Sequence, residues 1–358
     1  MNASIKKRFF EYGFKVGLLK RGQKNTIADV SGVRVGHFTK IQGEDVRTGI
    51  TIIDSGVDNI FQNKLPAAIA VGNAFGKLAG YTQVEELGTM EAPIALTNVN
   101  EVGPVITGLT ELVIRNTSIL QPTDSINVVV GETNNWILND IHKSTILPKD
   151  VLKAYKECSA DVKVGNVGAG TGTRAFSWKG GIGSASRIAR IENGNYVVGI
   201  LTQTNFGGSL SILGVPIGEK LGESDFKEIM ATQDGGSCNV VIATDAPLTS
   251  RQLKRLAKRA FLGLARTGSV MANASGDYAI AFTTSRYGLE GGGSIGYCIP
   301  EKNLTPFFLA VVEAVEESVY DAIFAAETMS GRNGNVLKML PIETVMTILD
   351  VRGARENL

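Results

Sequence analysis

Apolar positions recur along the chain in two rhythms. Short, nearly unbroken apolar runs read as buried strands: "INVVVGE" (126–132), "NYVVGILTQTNFG" (195–207), "CNVVIATDA" (238–246) and "GDYAIAFTT" (276–284). Longer stretches repeat every three to four residues and read as helices. In "TSRQLKRLAKRAFLGLARTG" (249–268), Thr249 and Gln252 have capping-box spacing, Leu253, Leu256, Ala260 and Leu264 share a face, and Gly268 stops the helix. In "TPFFLAVVEAVEESVYDAIFAAETMSG" (305–331), Thr305 is the expected cap and Pro306 the first-turn residue. Its apolar stripe runs through Val311, Val315, Val319 and Ile323. No linker, compositional break or solenoid repeat interrupts the alternation. The pattern predicts one intertwined α/β domain over residues 1–358, with helices covering β-layers.

Composition narrows the function class. Apolar residues are 43% and charged ones 20%, as in a soluble globular protein. Thirty-six basic residues against 35 acidic ones leave no field to collect nucleic acid or anionic membrane. The basic first 24 residues lack an apolar run of signal-peptide length, and no stretch approaches a transmembrane span. Cys158, Cys238 and Cys298 are odd in number and scattered. They argue against a disulfide framework or a zinc site, and for the reducing cytoplasm.

Forty-two glycines, clustered in segments such as "GNVGAGTG" and "GLEGGGSIG", require tight turns or close backbone approaches. The run "VKVGNVGAGTGTR" (162–174), with Glu192 downstream, invites a dinucleotide reading. That reading needs a helix directly after the glycines. Gly180, Gly181 and Gly183 would each cost such a helix about 1 kcal/mol, so a tight-turn loop near a site is expected instead.

His37 and His142 are the only histidines, the first beside a strand and the second at a helix end by pattern. Neither has a serine and an acid in a recognisable local arrangement, so both are expected to be structural. A serine nucleophile without histidine still needs a base. The α-amine of a first residue supplies one, since its ordinary pKa is about 8. Ser237 acquires such an amine only if the preceding peptide bond is cut. Gly235 and Gly236 suit that step, because glycines permit strained torsions and leave the carbonyl of residue 236 open to the Ser237 hydroxyl. Taken alone, the pair is also an ordinary turn.

Further stretches decide between these readings. "IADVSGVRVGH" (27–37), "VRTGITII" (46–53), "AFGKLAGYTQVEELGTMEAPIALTN" (74–98), "VVGET" (129–133), "NVGAGTGTRAFSWKGGIGSASR" (166–187), "TNFG" (204–207), "GGSCNVVIATDAPL" (235–248) and "SGDYAIAFTT" (275–284) occur in this order. In order and spacing the chain resembles the L-aminopeptidase/D-esterases and β-peptidyl aminopeptidases, self-processing serine hydrolases. The resemblance implies a four-layer αββα sandwich (α/β, or α+β) like that of N-terminal-nucleophile hydrolases. It implies cleavage at Gly236–Ser237 into an α-chain, 1–236, and a β-chain, 237–358, and homo-oligomers that are tetramers of such αβ pairs.

By position, the resemblance makes Ser237 the nucleophile and Asn205 the oxyanion-stabilising amide. Ser275 and Asp277 become the pair beside the nucleophile that orients it and relays protons. If 276–282 is a strand, residues 275 and 277 share a face. Glu132 becomes the acid that holds the substrate's amino group. A departure follows it: family members often carry tyrosine two residues later, where this chain has Asn134. The expected activity is release of N-terminal residues from short peptides, amino-acid amides or esters, β- or D-residues included. An acyl-enzyme on Ser237 would carry it, with no metal and no cofactor. One rival is an acyltransferase like the ornithine acetyltransferases, which use threonine at the cleavage position. The other is an uncut, non-enzymatic scaffold.

Overall fold

In the computed structural model most strands form two facing sheets and four short ones form two separate pairs; the structure describes residues 7–224, 236–286 and 298–351. In chain order the first strands are β1 (Arg34–Gln42), β2 (Val46–Asp54), β3 (Leu65–Ala74), β4 (Leu78–Ala79), β5 (Thr89–Met90), β6 (Ile94–Asn98) and β7 (Val129–Thr133). They continue as β8 (Arg174–Ala175), β9 (Trp178–Lys179), β10 (Ile182–Ile191), β11 (Gly194–Asn205), β12 (Ser237–Thr244), β13 (Gly276–Thr283), β14 (Met329–Ser330) and β15 (Val336–Leu337). The helices are α1 (Tyr81–Leu87), α2 (Val102–Asn116), α3 (Pro148–Lys156), α4 (Ile217–Lys220), α5 (Ser250–Arg266), α6 (Thr305–Phe324) and α7 (Ile342–Asp350).

One sheet has the order β1-β2-β6-β7-β4 and the other β10-β11-β12-β13-β3-β5. Helices α2 and α3 pack on the first, α5 and α6 on the second. Between the sheets lies an apolar layer that includes Ile69, Leu96, Val129, Leu201, Val241 and Ile280. Two further cores fill the helix–sheet spaces. The result is the expected αββα sandwich. The middle of the second sheet sets up everything that follows, because β12 is antiparallel to β11 and parallel to β13.

Several elements match their sequence patterns closely. Helix α5 carries the Thr249–Gln252 capping box, and Gly268 lies just beyond it at φ 96°. Strands β11, β12 and β13 fall within a residue or two of their predicted bounds. Others differ. β7 starts at Val129 rather than 126, because the Asn127 N–H is taken by the Glu91 carboxylate at 2.8 Å. Helix α6 stops at Phe324, and Asn166 captures the Glu327 carbonyl just beyond it at 2.8 Å. Thr305 lies in its first turn and makes no side-chain cap bond. His142 sits in a turn rather than at a helix end.

Gly168–Gly170 itself forms a 3₁₀ turn and the chain continues into β8, so no α-helix N-terminus follows the glycines to meet a pyrophosphate. Helix α6 also departs from a simple amphipathic reading. Its stripe Val311, Val315, Val319 and Ile323 is buried, yet Glu313, Glu316, Glu317 and Asp321 are buried too. Fully buried Arg187 from β10 pairs with Glu313 at 3.3 Å and Glu317 at 2.5 Å, and Arg8 pairs with Asp321 at 2.8 Å. Buried carboxylates persist only when paired in this way. Among the described residues, no helix is long and apolar enough to cross a membrane.

Candidate active site

Ser237 opens β12, and its side chain follows the parity of Val241 and Ala243, which face the other sheet. Directly opposite on β11 stands Asn205. It shares a face with Gln203, whose amide reaches Thr133 Oγ1 on the facing sheet at 3.0 Å. The two candidate residues therefore project into the same gap. The Asn205 amide is held at both ends: Nδ2 donates to the Asn134 carbonyl at 2.8 Å, and Oδ1 accepts from the Arg174 N–H at 3.0 Å. Asn134, the departure from the family pattern, thus supports Asn205 through its backbone whatever its side chain.

The carbonyl oxygen before Ser237 accepts two hydrogen bonds. The Ser237 hydroxyl donates to the Gly236 carbonyl oxygen at 2.5 Å, and the Gly276 N–H donates to the same oxygen at 3.1 Å. Two donors on one carbonyl oxygen polarise it as an oxyanion hole would. A Cβ on Gly236 would lie 3.0 Å from Phe206 Cα and 3.3 Å from Ser275 Oγ, so glycine fits the space there. Gly235 lies outside the described residues.

Ser275 and Asp277 stand on the other side of this bond. Along β13, Ile280 and Phe282 face the opposite sheet, and Ala279 and Ala281 face the helices. Asp277 shares the helix-side parity and lies beside Cys238, its register partner. Ser275 Oγ thus lies beside Gly236, and Asp277 by parity leaves the sheet on the face opposite to the Ser237 side chain. Both Asp277 oxygens and Ser275 Oγ are buried without a hydrogen-bond partner. Burial pushes the Asp277 carboxyl up to about 6, and the nearby Ser275 hydroxyl offsets part of that rise.

A cleft of about 370 Å³ opens at Ser237 and is lined by Gly236, Phe75, Lys77, Glu132 and Asn134 among others. Glu132, near the end of β7, is 2% exposed. Its Oε1 accepts the Lys77 N–H at 3.0 Å, and Lys77 Nζ stands 3.7 Å from the same oxygen. Burial raises the Glu132 carboxyl, and the Lys77 N–H and charge oppose that rise. The arrangement places a serine hydroxyl and a shielded carboxyl group in one cleft, with the Asn205 amide opposite Ser237 on the neighbouring strand.

Three contributors escaped the sequence reading: Lys77, the Gly276 N–H and Lys179. Lys77 and Gly276 lie within stretches that carry the family resemblance, but nothing local marks their roles. Lys179 is wholly buried and donates to the Gly170 carbonyl at 3.0 Å and the Gly180 carbonyl at 2.7 Å. Burial pulls its amine down to about 7. It ties the glycine loop to the β8–β9 hairpin, and that hairpin supplies the Arg174 N–H to Asn205. His37 is buried in β1 with Nδ1 3.0 Å from Thr51 Oγ1, and burial holds it at about 4; His142 is exposed. Neither lines the cleft. A larger cleft, about 450 Å³ beside Arg34, Asp54 and Tyr155, contains none of these site residues.

Comparison with known proteins gives this arrangement a lineage. Residues 25–337 match peptidase family S58. The chain is 35% identical over 356 residues to the β-peptidyl aminopeptidase BapA of Sphingosinicella microcystinivorans, covering 92% of this chain and 89% of that protein. Among solved structures, the PH0078 protein of Pyrococcus horikoshii OT3 superposes with a TM-score of 0.89 at 41% identity, covering 97% and 99% of the two chains. The L-aminopeptidase/D-Ala-esterase/amidase of Ochrobactrum anthropi, a variant of the Ntn hydrolase fold, gives 0.85 at 30% identity over 98% and 99%. This chain belongs to peptidase family S58 and is an aminopeptidase.

Proposed function

We propose that this S58 aminopeptidase cuts itself at Gly236–Ser237 and then uses Ser237 as an N-terminal nucleophile on short peptides, amino-acid amides or esters. The reading includes β- and D-residues, the substrates for which its relatives are named. The observation that carries it is the 2.5 Å contact between the Ser237 hydroxyl and the Gly236 carbonyl, with the Gly276 N–H on the same oxygen.

In the first step Ser237 Oγ attacks the Gly236 carbonyl carbon and closes a five-membered ring. The C–N bond breaks as the nitrogen takes the hydroxyl proton, leaving an ester. The amine of Ser237 is free from this point, and water then hydrolyses the ester, releasing the Gly236 carboxylate and restoring the Ser237 hydroxyl. The amine next serves as base for its own hydroxyl. In turnover, Oγ attacks the substrate carbonyl and Asn205 Nδ2 donates to the developing oxyanion. The leaving group departs with a proton, and water hydrolyses the acyl-enzyme. Glu132 pairs with the substrate ammonium. Ser275 and Asp277 flank the new amine and steer its proton.

The two chains have reason to stay together. β12 and β13 of the 237–358 chain pair with β11 and β3 of the 1–236 chain, and α6 packs on β10. The same reading assembles αβ pairs into a tetramer in the cytoplasm, with no nucleic acid or membrane partner. A near-neutral chain with three free cysteines supports this placement.

Denaturing electrophoresis and N-terminal sequencing test the proposal. The smaller fragment should begin Ser-Cys-Asn-Val, and Ser237→Ala should remain one inactive chain. An uncut wild-type protein that hydrolyses amides would sink the amine-as-base mechanism. Acetyl transfer without amide hydrolysis would favour the acyltransferase reading.

A further inference from the structure

Lys77 and Glu132 are the charged side chains that line the Ser237 cleft. They are held in different ways. The Glu132 carboxylate is 2% exposed, whereas the Lys77 side chain is 54% exposed and its Nζ stands 3.7 Å from Oε1, beyond hydrogen-bond range. The backbone of Lys77, by contrast, is fixed: its N–H donates to the same Oε1 at 3.0 Å. A Cβ on Gly76 would lie 3.1 Å from Glu132 Oε1 and 3.4 Å from the Tyr278 hydroxyl. The empty space at glycine therefore leaves the carboxylate open on that side. From β12, Asn239 donates to the Glu132 backbone carbonyl at 2.9 Å and leaves the carboxylate alone.

We infer that the Lys77 ammonium is the resident counter-ion of the amine pocket and a specificity-determining residue, displaced when the substrate's own ammonium reaches Glu132. This rests on the reading of Glu132 as the amine-binding acid. Two cations cannot share one shielded carboxylate oxygen without repulsion, so one of them must leave. The exposed lysine is the one that can, because its stem is flexible and its head already meets water. The fixed N–H meanwhile keeps Oε1 aimed at the cleft. Lys77 therefore has two separable effects. It competes with the incoming ammonium, and in the empty enzyme its charge favours the ionised form of Glu132, opposing the effect of burial. Tyr278 from β13 is the other titratable group at this carboxylate; burial raises its phenol, and the charges of Glu132 and Asp277 add to that rise.

The test uses the full-length, processed enzyme with an amino-acid p-nitroanilide and its N-acetyl counterpart. Lys77→Met removes the charge and keeps the stem and the backbone N–H. KM for the free amine should fall about two- to five-fold, the range expected for loss of an exposed ion-pair competitor. The acid limb of its kcat/KM profile should move to higher pH, because Glu132 loses a cation that favours its charged form. Lys77→Arg should keep the wild-type KM and acid limb, which separates the charge from packing. A free-amine KM that is unchanged or raised in processed Lys77→Met, with an unmoved acid limb, overturns the inference. The underlying reading fails separately, if Glu132→Gln leaves the preference for free over acetylated substrate intact. Loss of that preference in Glu132→Gln alongside an inert Lys77→Met refutes only the role of Lys77.

Discussion

Asn205 and Ser237 are direct register partners at the end of the β11–β12 ladder, with both side chains turned into the gap between the sheets. Opposed residues in such a ladder hold their Cβ atoms about 5 Å apart. The amide is therefore aimed by the same hydrogen-bonded pairing that places Ser237. The Asn134 carbonyl and the Arg174 N–H lock its orientation.

Asn205→Ala should accordingly process normally and lose turnover by about 10²–10³, the usual cost of one oxyanion donor. Steady-state kinetics on protein shown by mass to be cleaved will measure it. Near-normal turnover would remove Asn205 from the mechanism.

Glu132→Gln should separate amine recognition from chemistry. A charge-assisted hydrogen bond of about 1.5–3 kcal/mol corresponds to roughly 10- to 150-fold in kcat/KM for the free-amine substrate. The N-acetyl substrate should be poor for the wild type, and the gap between the two should narrow in the mutant. Self-cleavage should survive, because it uses no external amine. Equal wild-type rates on both substrates would contradict the aminopeptidase geometry proposed for this cleft.

Asp277 should destabilise the uncut protein near neutrality. Its carboxyl is held at about 6 in the fold against 3.8 when free. The folded state thus binds this proton more tightly, and the group's favourable contribution is lost as pH rises through that window. In a Ser237→Ala background, adding Asp277→Asn should increase stability at pH 7 by on the order of 2 kcal/mol, with much less effect at pH 4. Urea unfolding at the two pH values measures this. The same difference at both would show that another group titrates.

Lys179 carries the opposite sign. Its amine is held at about 7 in the fold against 10.5 when free. Between those values the unfolded chain binds more protons, so this residue makes stability rise with pH by up to about 1.4 kcal/mol per unit. A neutral amine has two N–H groups, enough for the Gly170 and Gly180 carbonyls. Lys179→Met loses those bonds, so the slope between pH 7.5 and 9.5 is the readout rather than absolute stability. Parallel slopes in mutant and wild type would argue against a neutral lysine.

The sequence by itself determined the elements whose signals are local. The Thr249–Gln252 box and the spacing of Leu253, Leu256, Ala260 and Leu264 define α5 within one stretch of chain. The apolar runs at 238–246 and 276–284 leave little alternative to β12 and β13. The scarcity of histidine and the glycine before Ser237 are compatible with an amine base or with a plain turn, and the family resemblance favours the first. Only the tertiary structure decided which distant groups meet. Glu132 could have been a solvated strand end until Lys77, 55 residues away along the chain, closed over it. The carboxylates of α6 look solvent-facing by periodicity, yet Arg187 and Arg8 reach them from 126 and 313 residues away. Lys179 is charged in the sequence and buried against carbonyls in the fold. Hydrophobic periodicity is written in neighbours three or four residues apart, and the chain reads out legibly at that range. Charge pairing and desolvation depend on what the folded layers press together, and no local pattern encodes that.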